Sequence, residues 1–226
     1  MTPIAGDPTR APAVRDMFAR IAPGYDRANR WMSFGIDTWW RRVALRELGP
    51  APRVLDLCAG TMDFSAMLGD REVVAVDFCA EMLEAGRAKA PRARTICADA
   101  RDLPLGDASV DGVVAGFGIR NVPEYEKALA ECVRVLAPGG RLVVVDFFRP
   151  VTLAQRFFAG TYNRVVLPMV GGLVTGDASA YRYLAASMGA WTDRAGFERA
   201  CVAAGFARAE GRDLFPPVAA LVVAHR

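Results

Sequence analysis

The sequence predicts an α/β fold, a doubly wound and mostly parallel sheet that ends in an antiparallel hairpin. The first observation is that continuous apolar runs alternate with segments of helical spacing, which is typical of parallel strands covered by helices on both faces. The second is that this alternation stops near the C-terminus. There, two short strand segments, 207–214 and 218–224, follow one another through Pro216-Pro217, and we expect them to pair as a hairpin.

The N-terminal part of the chain is expected to be helical in pieces. Residues 1–13 are small and Pro-rich, and we expect them to be frayed. Helical spacing over 14–48 is interrupted at Pro23-Gly24 and at Gly35, and the run 49–52 (Gly-Pro-Ala-Pro) ends it. We therefore separate a helical segment, 1–48, from a core, 49–226, that carries an insertion at 151–190, all within one structural domain. The helical segment is rich in aromatic residues: Phe18, Tyr25, Trp31, Phe34, Trp39 and Trp40.

The core elements follow in strand–helix order. Pro138-Gly139-Gly140 is a turn signal, and Gly205 is the expected C′ residue of the last helix. This order places helices on both faces of one sheet. The predicted strands are 54–58, 73–76, 95–98, 111–115 and 141–147, and the predicted helices are 64–68, 81–89, 124–136 and 192–204.

Composition argues against several classes of protein. The chain is 53% hydrophobic and 23% charged, enough to bury a core, and its net charge of +3 is too balanced for a nucleic-acid binder. A single histidine, His225, nearly excludes zinc proteases and Ser-His-Asp hydrolases, while five scattered cysteines offer no disulfide framework and little for a metal site. The first residues hold no apolar leader, and the longest uncharged stretch, 165–176, is shorter than the ~20 residues that span a bilayer. We expect a cytoplasmic protein without a bound metal.

Small and acidic residues cluster where the first three predicted strands end. In open α/β sheets ligands bind beyond the carboxyl ends of the strands, and Gly60 lets the backbone approach a ligand closely. A carboxylate at Asp77 can accept hydrogen bonds from both ribose hydroxyls, and Asp99 can accept one from an adenine amino group. The pattern predicts a cofactor with an adenosine half, either NAD or S-adenosylmethionine (SAM). The cluster consists of Asp56, Gly60, Thr61, Asp77, Asp99 and Ala100.

Two features of the first loop favour SAM over a dinucleotide. A dinucleotide site needs G-x-G-x-x-G to seat a pyrophosphate, whereas this loop has one glycine and an Asp63 that would repel phosphate. SAM carries a sulfonium and an ammonium instead, which suit the acidic pair Asp56 and Asp63. The terminal hairpin is also the layout of Rossmann-like SAM methyltransferases rather than of dehydrogenases. The competing interpretation is that these aspartates only cap βα loops.

Several motifs liken the chain to one known family. The N-terminal motif M-F-x-x-I-A-x-x-Y-D-x-x-N-x-x-M-S-F-G occupies 17–35, and F-G-I-R-N-V occupies 117–122. Less specific are L-D-L at 55–57 with G-T-x-D at 60–63, R-V-L-x-P-G-G at 134–140, and Y-x-Y-L-x-x-S at 181–187. On these residues the chain resembles the ubiquinone/menaquinone biosynthesis C-methyltransferase family over nearly its whole length.

The resemblance implies SAM-dependent methylation of the ring of a demethylated isoprenoid hydroquinone. Two alternatives stay open: a related methyltransferase acting on a phenol or polyketide, and a non-catalytic SAM- or lipid-binding protein. The implied partner is a small lipophilic quinol. The apolar stretch 165–174 either touches a membrane surface or joins the core, and a homodimer remains open. The family's SAM contacts fall on Thr61, Asp77, Asp99, Ala100 and Gly116.

Methylation of an aromatic carbon requires a carbon nucleophile. A hydroquinone supplies one when its phenol, with a pKa of ~10, loses a proton. We expect Arg120 to stabilise that phenolate, Asn121 to orient the second oxygen, and a water held by both to accept the proton. An ion pair or a helix cap is the competing interpretation of Arg120. His225 is the only conventional general base in the sequence and stays an alternative.

The aromatic segment before the first strand is expected to close over the acceptor. Tyr25, Asp26, Asn29 and Ser33 would supply polar contacts to it, and Phe117 would lie beside the reacting methyl group. The alternative interpretation is a helix pair that packs on the core.

The sequence departs from the family pattern at several places, among them Trp191-Thr192, which replaces an expected Phe-Pro pair, and the hairpin at Pro216-Pro217, which lacks the usual glycine. Met62 replaces the second glycine of an expected G-T-G-D, where it would either crowd the methionyl end of SAM or point into the core. Gly116 stands where a small hydroxyl residue is expected, and Asp146-Phe147-Phe148 replaces a Glu-Phe-Ser-like triplet. These changes affect the identity of the acceptor more than the reaction.

Overall fold

The fold is a seven-stranded sheet with helices on both faces, in the order β3-β2-β1-β4-β5-β7-β6. In the computed structural model, the described residues are 11–162, 183 and 186–226. Strands β1 to β5 run parallel, and β7 pairs antiparallel with both β5 and β6. The predicted fold class is confirmed. The strands are β1 (Arg53–Leu57), β2 (Glu72–Asp77), β3 (Arg94–Cys97), β4 (Val110–Gly116), β5 (Leu136–Asp146), β6 (Arg208–Asp213) and β7 (Ala220–His225).

The strand limits differ little from the predicted ones except in β5. That strand begins at Leu136 instead of residue 141, because Leu136 already pairs with Val110. The register then shifts before Gly112 pairs with Arg141, so the Pro-Gly-Gly turn is absorbed into the strand as an irregularity.

Eight α-helices whose bounds lie within the described residues surround the sheet, and residues 186–190 are helical as well. Helix α1 begins at Ala11, so residues 11–13 are helical and the expected fraying there was wrong. The break at Pro23-Gly24 is a short 3₁₀ turn, and the second break places Phe34 and Gly35 in left-handed conformations. The helices are α1 (Ala11–Ile21), α2 (Tyr25–Ser33), α3 (Ile36–Leu48), α4 (Asp63–Met67), α5 (Ala80–Gly86), α6 (Tyr125–Val135), α7 (Leu153–Thr161) and α8 (Arg194–Ala204).

Each face of the sheet buries its own apolar layer. Helices α6 and α8 cover one face, where Leu129 and Phe197 are fully buried. On the other face α3 packs directly on β4 and β5 through Trp40, Val43 and Ala44. Helix α3, the last helix of the N-terminal segment, is therefore part of the core packing. Helices α1 and α2 lie at the edge of the sheet where the parallel strands have their carboxyl ends. The apolar stretch 165–174 lies outside the described residues.

Candidate active site

The carboxyl ends of β1, β2 and β4 open into a cavity of about 920 Å³, here called the cofactor cavity. Parallel strands end at the same edge, so residues far apart in sequence meet there. Helices α1 and α2 form its outer wall through Val14, Phe18 and Tyr25. The predicted cofactor residues that line this cavity are Gly60, Thr61, Asp77, Asp99, Ala100 and Gly116.

Asp77 is held rigidly at the end of β2. Its Oδ2 accepts a hydrogen bond from the Gly60 N–H at 2.8 Å, and its Oδ1 accepts one from the Cys79 N–H at 2.9 Å. Burial raises the pKa of the carboxyl to about 6, in spite of these backbone donors. Each carboxylate oxygen can accept a second hydrogen bond, so this side chain fits a pair of ribose hydroxyls.

Asp56 does not line the cofactor cavity, although the sequence placed it there. It is buried below the loop and accepts hydrogen bonds from the Ser65 N–H at 2.9 Å and the Ser65 hydroxyl at 2.6 Å. Burial raises its pKa to about 6. Its role in this geometry is to hold the first turn of α4 against β1.

Asp99 lines the cavity with its carboxylate already engaged. The Arg101 guanidinium donates to it at 2.6 Å, and this hydrogen bond lowers the pKa of Asp99. The ion pair fixes the carboxylate at the end of β3 and leaves acceptor capacity for an adenine amino group.

A second cavity of about 810 Å³ adjoins the first and is here called the acceptor cavity. Its walls come from α1, α2 and α3 on one side and from the ends of β4 and β5 on the other, and they are mainly apolar and aromatic. Of the polar contacts expected in this region, Tyr25, Asn29 and Ser33 line it. The side chains that belong to both cavities are Phe18, Tyr25, Arg41 and Phe117.

Asp26, expected to contact the acceptor, instead faces the cofactor loop. It accepts hydrogen bonds from the Thr61 hydroxyl and from Nζ of Lys89, the latter at 2.7 Å. Lys89 also donates to Asp63 at 2.6 Å, and Arg41 lies 3.2 Å from the same carboxylate. This set of charged side chains ties α2 and α3 to the loop that follows β1.

Arg120 is buried and its charge is compensated. Its Nη1 lies 2.5 Å from Oδ1 of Asp146 and also donates to the Phe117 carbonyl. Although burial opposes its charge, the Asp146 carboxylate holds the pKa of Arg120 above its ordinary value. The structure thus contains the ion pair that the sequence analysis gave as the alternative role of Arg120. The same residue also lines the acceptor cavity.

Asn121 and Arg120 line different cavities. The Asn121 side chain faces the cofactor cavity, and its Oδ1 accepts a hydrogen bond from the Tyr183 hydroxyl at 2.8 Å. A water shared by both side chains, as the sequence suggested, has no support in this arrangement.

The family model for the ubiE/COQ5 methyltransferase family matches residues 7–226. The chain belongs to this family. A demethylmenaquinone methyltransferase of Thermus thermophilus is 46% identical over 84% of this chain and 91% of its own length. The ubiquinone/menaquinone biosynthesis C-methyltransferase UbiE of Syntrophotalea carbinolica is 41% identical over 88% of each chain.

Solved structures agree on the fold. A SAM-dependent methyltransferase of Thermotoga maritima, described as a possible histamine N-methyltransferase, superposes with a TM-score of 0.67 at 19% identity, covering 93% of this chain and 98% of its own. Its family membership makes the chain a SAM-dependent methyltransferase, and the solved structure agrees with the Rossmann-like fold of the sheet. Within its described residues, no helix is both long and apolar enough to cross a membrane.

The departures of this methyltransferase from its family's pattern have physical explanations. Met62 has a left-handed φ of 63°, which accounts for the glycine expected there, and its fully buried side chain packs with Ala75 and Leu83 instead of entering the cavity. At Gly116, a Cβ would lie 2.7 Å from Cε2 of Phe64, so a hydroxyl residue would require that ring to move.

The remaining general base of the sequence is remote. His225 ends β7 and pairs with Arg141 at the start of the regular part of β5, so it lies at the opposite edge of the sheet from both cavities. Its pKa is lowered by burial and by Arg208 and Arg141.

Sequence reasoning missed residues whose importance depends on tertiary contact. Helix α5 passes so close to the loop after β1 that a Cβ at Gly86 would collide with the Thr61 carbonyl, so a glycine is needed there. Arg41, Asp37 and Lys89 form ion pairs beside the two cavities, Arg41 with Asp37 and both cations with the same carboxylate on α4. Lys89 had a weak signal, being one of two lysines among 28 basic residues.

Proposed function

We propose that this methyltransferase methylates a ring carbon of a reduced, demethylated isoprenoid hydroquinone. The observation that carries the proposal is the aromatic-walled acceptor cavity, which meets the cofactor cavity at Tyr25 and Phe117. Such a cavity suits a flat ring with an apolar tail. The relatives named for demethylmenaquinone and for ubiquinone/menaquinone biosynthesis support the same class of acceptor.

The cofactor cavity would hold SAM along the strand ends. Asp77 would bind the ribose hydroxyls and Asp99 the adenine amino group, with Thr61 and Asp63 nearest the charged methionyl end. When bound, SAM supplies the electrophilic methyl group of its sulfonium. The fit rests on the open backbone at Gly60, with a φ of 52°, and on the free acceptor capacity of Asp77.

Around the acceptor, the chain's own residues favour the phenolate. Arg120 and Arg41 are the cations that line the acceptor cavity among its described residues, and both stabilise negative charge on a ring oxygen. Tyr25 is protonated, because burial raises its pKa, so its hydroxyl can donate a hydrogen bond. The apolar walls exclude water, which strengthens these interactions and keeps the ring in place.

We infer that the enzyme collects this acceptor from an anionic lipid surface. The exposed aromatic side chains of α2, α3 and the turn between them are Trp31, Trp39 and Phe34, and α7 exposes Leu153 and Phe157. Ser33 and Tyr162, at the ends of α2 and α7, both line the acceptor cavity, so these exposed faces flank it. Aromatic rings with nearby arginines are typical of helices that lie on anionic membranes.

Charge on these helices supports the same inference. Their exposed charged residues are all arginines: Arg27, Arg30, Arg42, Arg46 and Arg156. The three carboxylates of α2, α3 and α7 are partly buried and each has a cationic partner: Asp26 with Lys89, Asp37 with Arg41, and Glu47 with Arg212.

Methyl transfer from labelled SAM tests the proposed function. We expect product with a reduced prenylated quinol and none with the same quinone kept oxidised, because only the quinol has an ionisable hydroxyl that makes the ring carbon nucleophilic. Faster turnover of a tail-less phenol would instead indicate a different small-molecule acceptor. SAM binding without transfer to any acceptor would indicate a non-catalytic binding protein.

A further inference from the structure

A serine and a carboxylate are joined by a short hydrogen bond inside the acceptor cavity. Oγ of Ser33 donates to Oδ1 of Asp37 at 2.6 Å, and both residues line the cavity. Ser33 ends α2, and Asp37 lies in the first turn of α3. The left-handed residues Phe34 and Gly35 fold the chain back between them, so the pair is a product of this particular turn.

With respect to the part of the chain that the structure describes, the Ser33 hydroxyl has one hydrogen-bonding position left. A serine hydroxyl can donate once and accept twice. Its proton points to Asp37, since the alternative acceptor, the Arg30 carbonyl, is 3.5 Å away. One acceptor position is used by the Gly35 N–H at 3.1 Å. The other is available to the O–H group of a ligand in the cavity.

Asp37 is the carboxylate that the described walls of the acceptor cavity provide. Its Oδ2 accepts from Nη1 of Arg41 at 2.6 Å, so both of its oxygens are oriented by protein groups. Arg41 in turn reaches Asp63 on α4.

The other ionisable groups that face this region are poor proton acceptors. From α2 and from residue 183 come two tyrosines whose phenols stay protonated, because burial raises the pKa of Tyr25 and takes that of Tyr183 to about 12. From α3 and from the turn after β4 come Arg41 and Arg120, and a guanidinium group offers only hydrogen-bond donors. A third phenol, Tyr162, follows α7.

We propose that Ser33 and Asp37 form the proton relay for the acceptor, an inference that rests on the proposed function. The quinol O–H bond breaks and its proton forms an O–H bond on Ser33, while the original Ser33 proton passes to Oδ1 of Asp37. The electron pair left on the quinol oxygen flows into the ring, whose carbon forms the bond to the methyl group, while the bond from that methyl group to the sulfonium sulfur of the methyl donor breaks and its electron pair stays on sulfur. The methylated carbon then loses a proton, which passes to solvent water as the product leaves the cavity; the C–H electron pair returns to the ring, which becomes aromatic again, and Asp37 returns its proton through Ser33 to the oxygen.

A binding experiment without SAM tests the first contact of the relay. Calorimetry would compare 1-naphthol with naphthalene, which lacks the hydroxyl. We expect about tenfold tighter binding of 1-naphthol to the wild type, as one hydrogen bond predicts. That preference should shrink several-fold in Ser33→Ala and persist in Ser33→Thr. An unchanged preference in Ser33→Ala would overturn the proposal.

Kinetics test the second contact. Asp37→Asn should lower kcat by ~10²-fold, the scale of one lost general base, with the deficit shrinking at high pH where hydroxide replaces the carboxylate. Asp37→Glu should recover much of the rate. Ser33→Ala should also lower kcat; if its kcat is unchanged while Asp37→Asn is slow, Asp37 only positions Arg41 and the relay is wrong.

Two controls separate this proposal from others. Asp111→Asn removes a comparable arginine ion pair, with Arg53 at 2.7 Å at the other end of the sheet, and should leave kcat unchanged. A wild type that methylates no reduced quinol would contradict the proposed function, whereas the 1-naphthol preference still tests the contact of Ser33 by itself.

Discussion

The two cavities share a wall but are held together by different interactions. Around the cofactor cavity, β1, β2 and β4 bury most of their side chains against the helices on the two faces of the sheet, and backbone N–H groups fix Asp77. On the acceptor side, α3 packs on the sheet, whereas α2 is tied to its surroundings by an ion pair and single polar hydrogen bonds, such as Asp26 with Lys89 and Ser33 with Asp37. The first cavity is built into the sheet, whereas the α2 wall of the second depends on polar and charged side chains.

This difference determines how strongly each region responds to ionic strength and to the loss of a single charge. Apolar burial at about 25 cal/mol per Å² is insensitive to salt, while partly exposed ion pairs contribute at most about 1 kcal/mol and weaken as ionic strength rises. We expect the acceptor side to respond to salt and to single charge changes before the cofactor side does.

The largest expected effect comes from the exception to this rule, the buried pair Arg120 and Asp146. Arg120→Met leaves a buried carboxylate without its partner, which should lower the free energy of unfolding by about 3–5 kcal/mol. Chemical denaturation would measure the loss. The double variant Arg120→Met/Asp146→Asn should recover part of it. If Arg120→Met is as stable as the wild type but slow, Arg120 acts on the acceptor alone and its ion pair is unimportant.

The next effect concerns the cofactor cavity and is pH-dependent. Asp77→Asn should weaken SAM binding by about 10- to 100-fold, the equivalent of a charge-assisted hydrogen bond of ~1.5–3 kcal/mol. In the wild type, the affinity should fall as the pH falls through about 6, because the carboxyl is then protonated in the free protein.

The sign of the corresponding stability effect is opposite to the usual one for an aspartate. The pKa of Asp77 in the folded protein lies above the ordinary value of 3.8, so between about pH 4 and 6 the folded protein holds a proton on this carboxyl that the unfolded chain has lost. The contribution of Asp77 to the free energy of unfolding therefore falls as the pH rises from about 4 to 6. Calorimetry of SAM binding across this range, with Asp77→Asn as reference, measures the affinity. A wild-type affinity independent of pH would contradict the assignment of Asp77 to the ribose.

A smaller effect is expected at the exposed rim of the acceptor cavity. Trp39→Ser and Phe157→Ser should each reduce binding to vesicles containing anionic lipid by several-fold, since each removes about 1–2 kcal/mol of insertable apolar surface. Co-sedimentation with anionic and with zwitterionic vesicles measures it. Val202→Ser, on the exposed face of α8, is the matched control and should change nothing. Equal binding of all three variants would place the membrane contact elsewhere.

The smallest effect should come from the charged contact between α2 and the cofactor loop. Lys89→Met removes the partner of Asp26 and Asp63 and should cost at most about 1 kcal/mol. We expect a higher KM for the acceptor at low salt, converging on the wild-type value at high salt where the pair is screened. A difference that is the same at every ionic strength would show that Lys89 acts by packing.

The same contrast explains what could be predicted from the sequence. The sheet, its hairpin and the cofactor residues at the ends of β1 to β3 follow from periodicity and from one topological rule, which needs no knowledge of side-chain contacts. Ser33 and Tyr25 were expected in the acceptor region because of the motif in which they stand. The role of Asp37 was not, because it arises from a left-handed turn at Phe34 and Gly35 and from the rotamer of Arg41.

Two expectations failed for a related reason. Asp56 and Asp26 occupy positions where a ligand contact is plausible from spacing, but each carboxylate finds a nearer protein donor, the Ser65 hydroxyl for Asp56 and Lys89 for Asp26. Spacing along a strand or helix predicts where the backbone places a side chain. Which group that side chain then binds depends on the donors nearby in the folded structure, which spacing does not reveal.

The four side chains that border both cavities make the two ligands thermodynamically dependent on each other. If a ring in this shared wall is mobile in the free protein, the first ligand to bind orders it and incurs the loss of conformational entropy. The second ligand then binds against a side chain that is already ordered, without that loss. Tyr25 and Phe117 are positioned for this. We therefore expect each ligand to bind more tightly when the other is present, by the same factor in both directions, without any movement of the sheet.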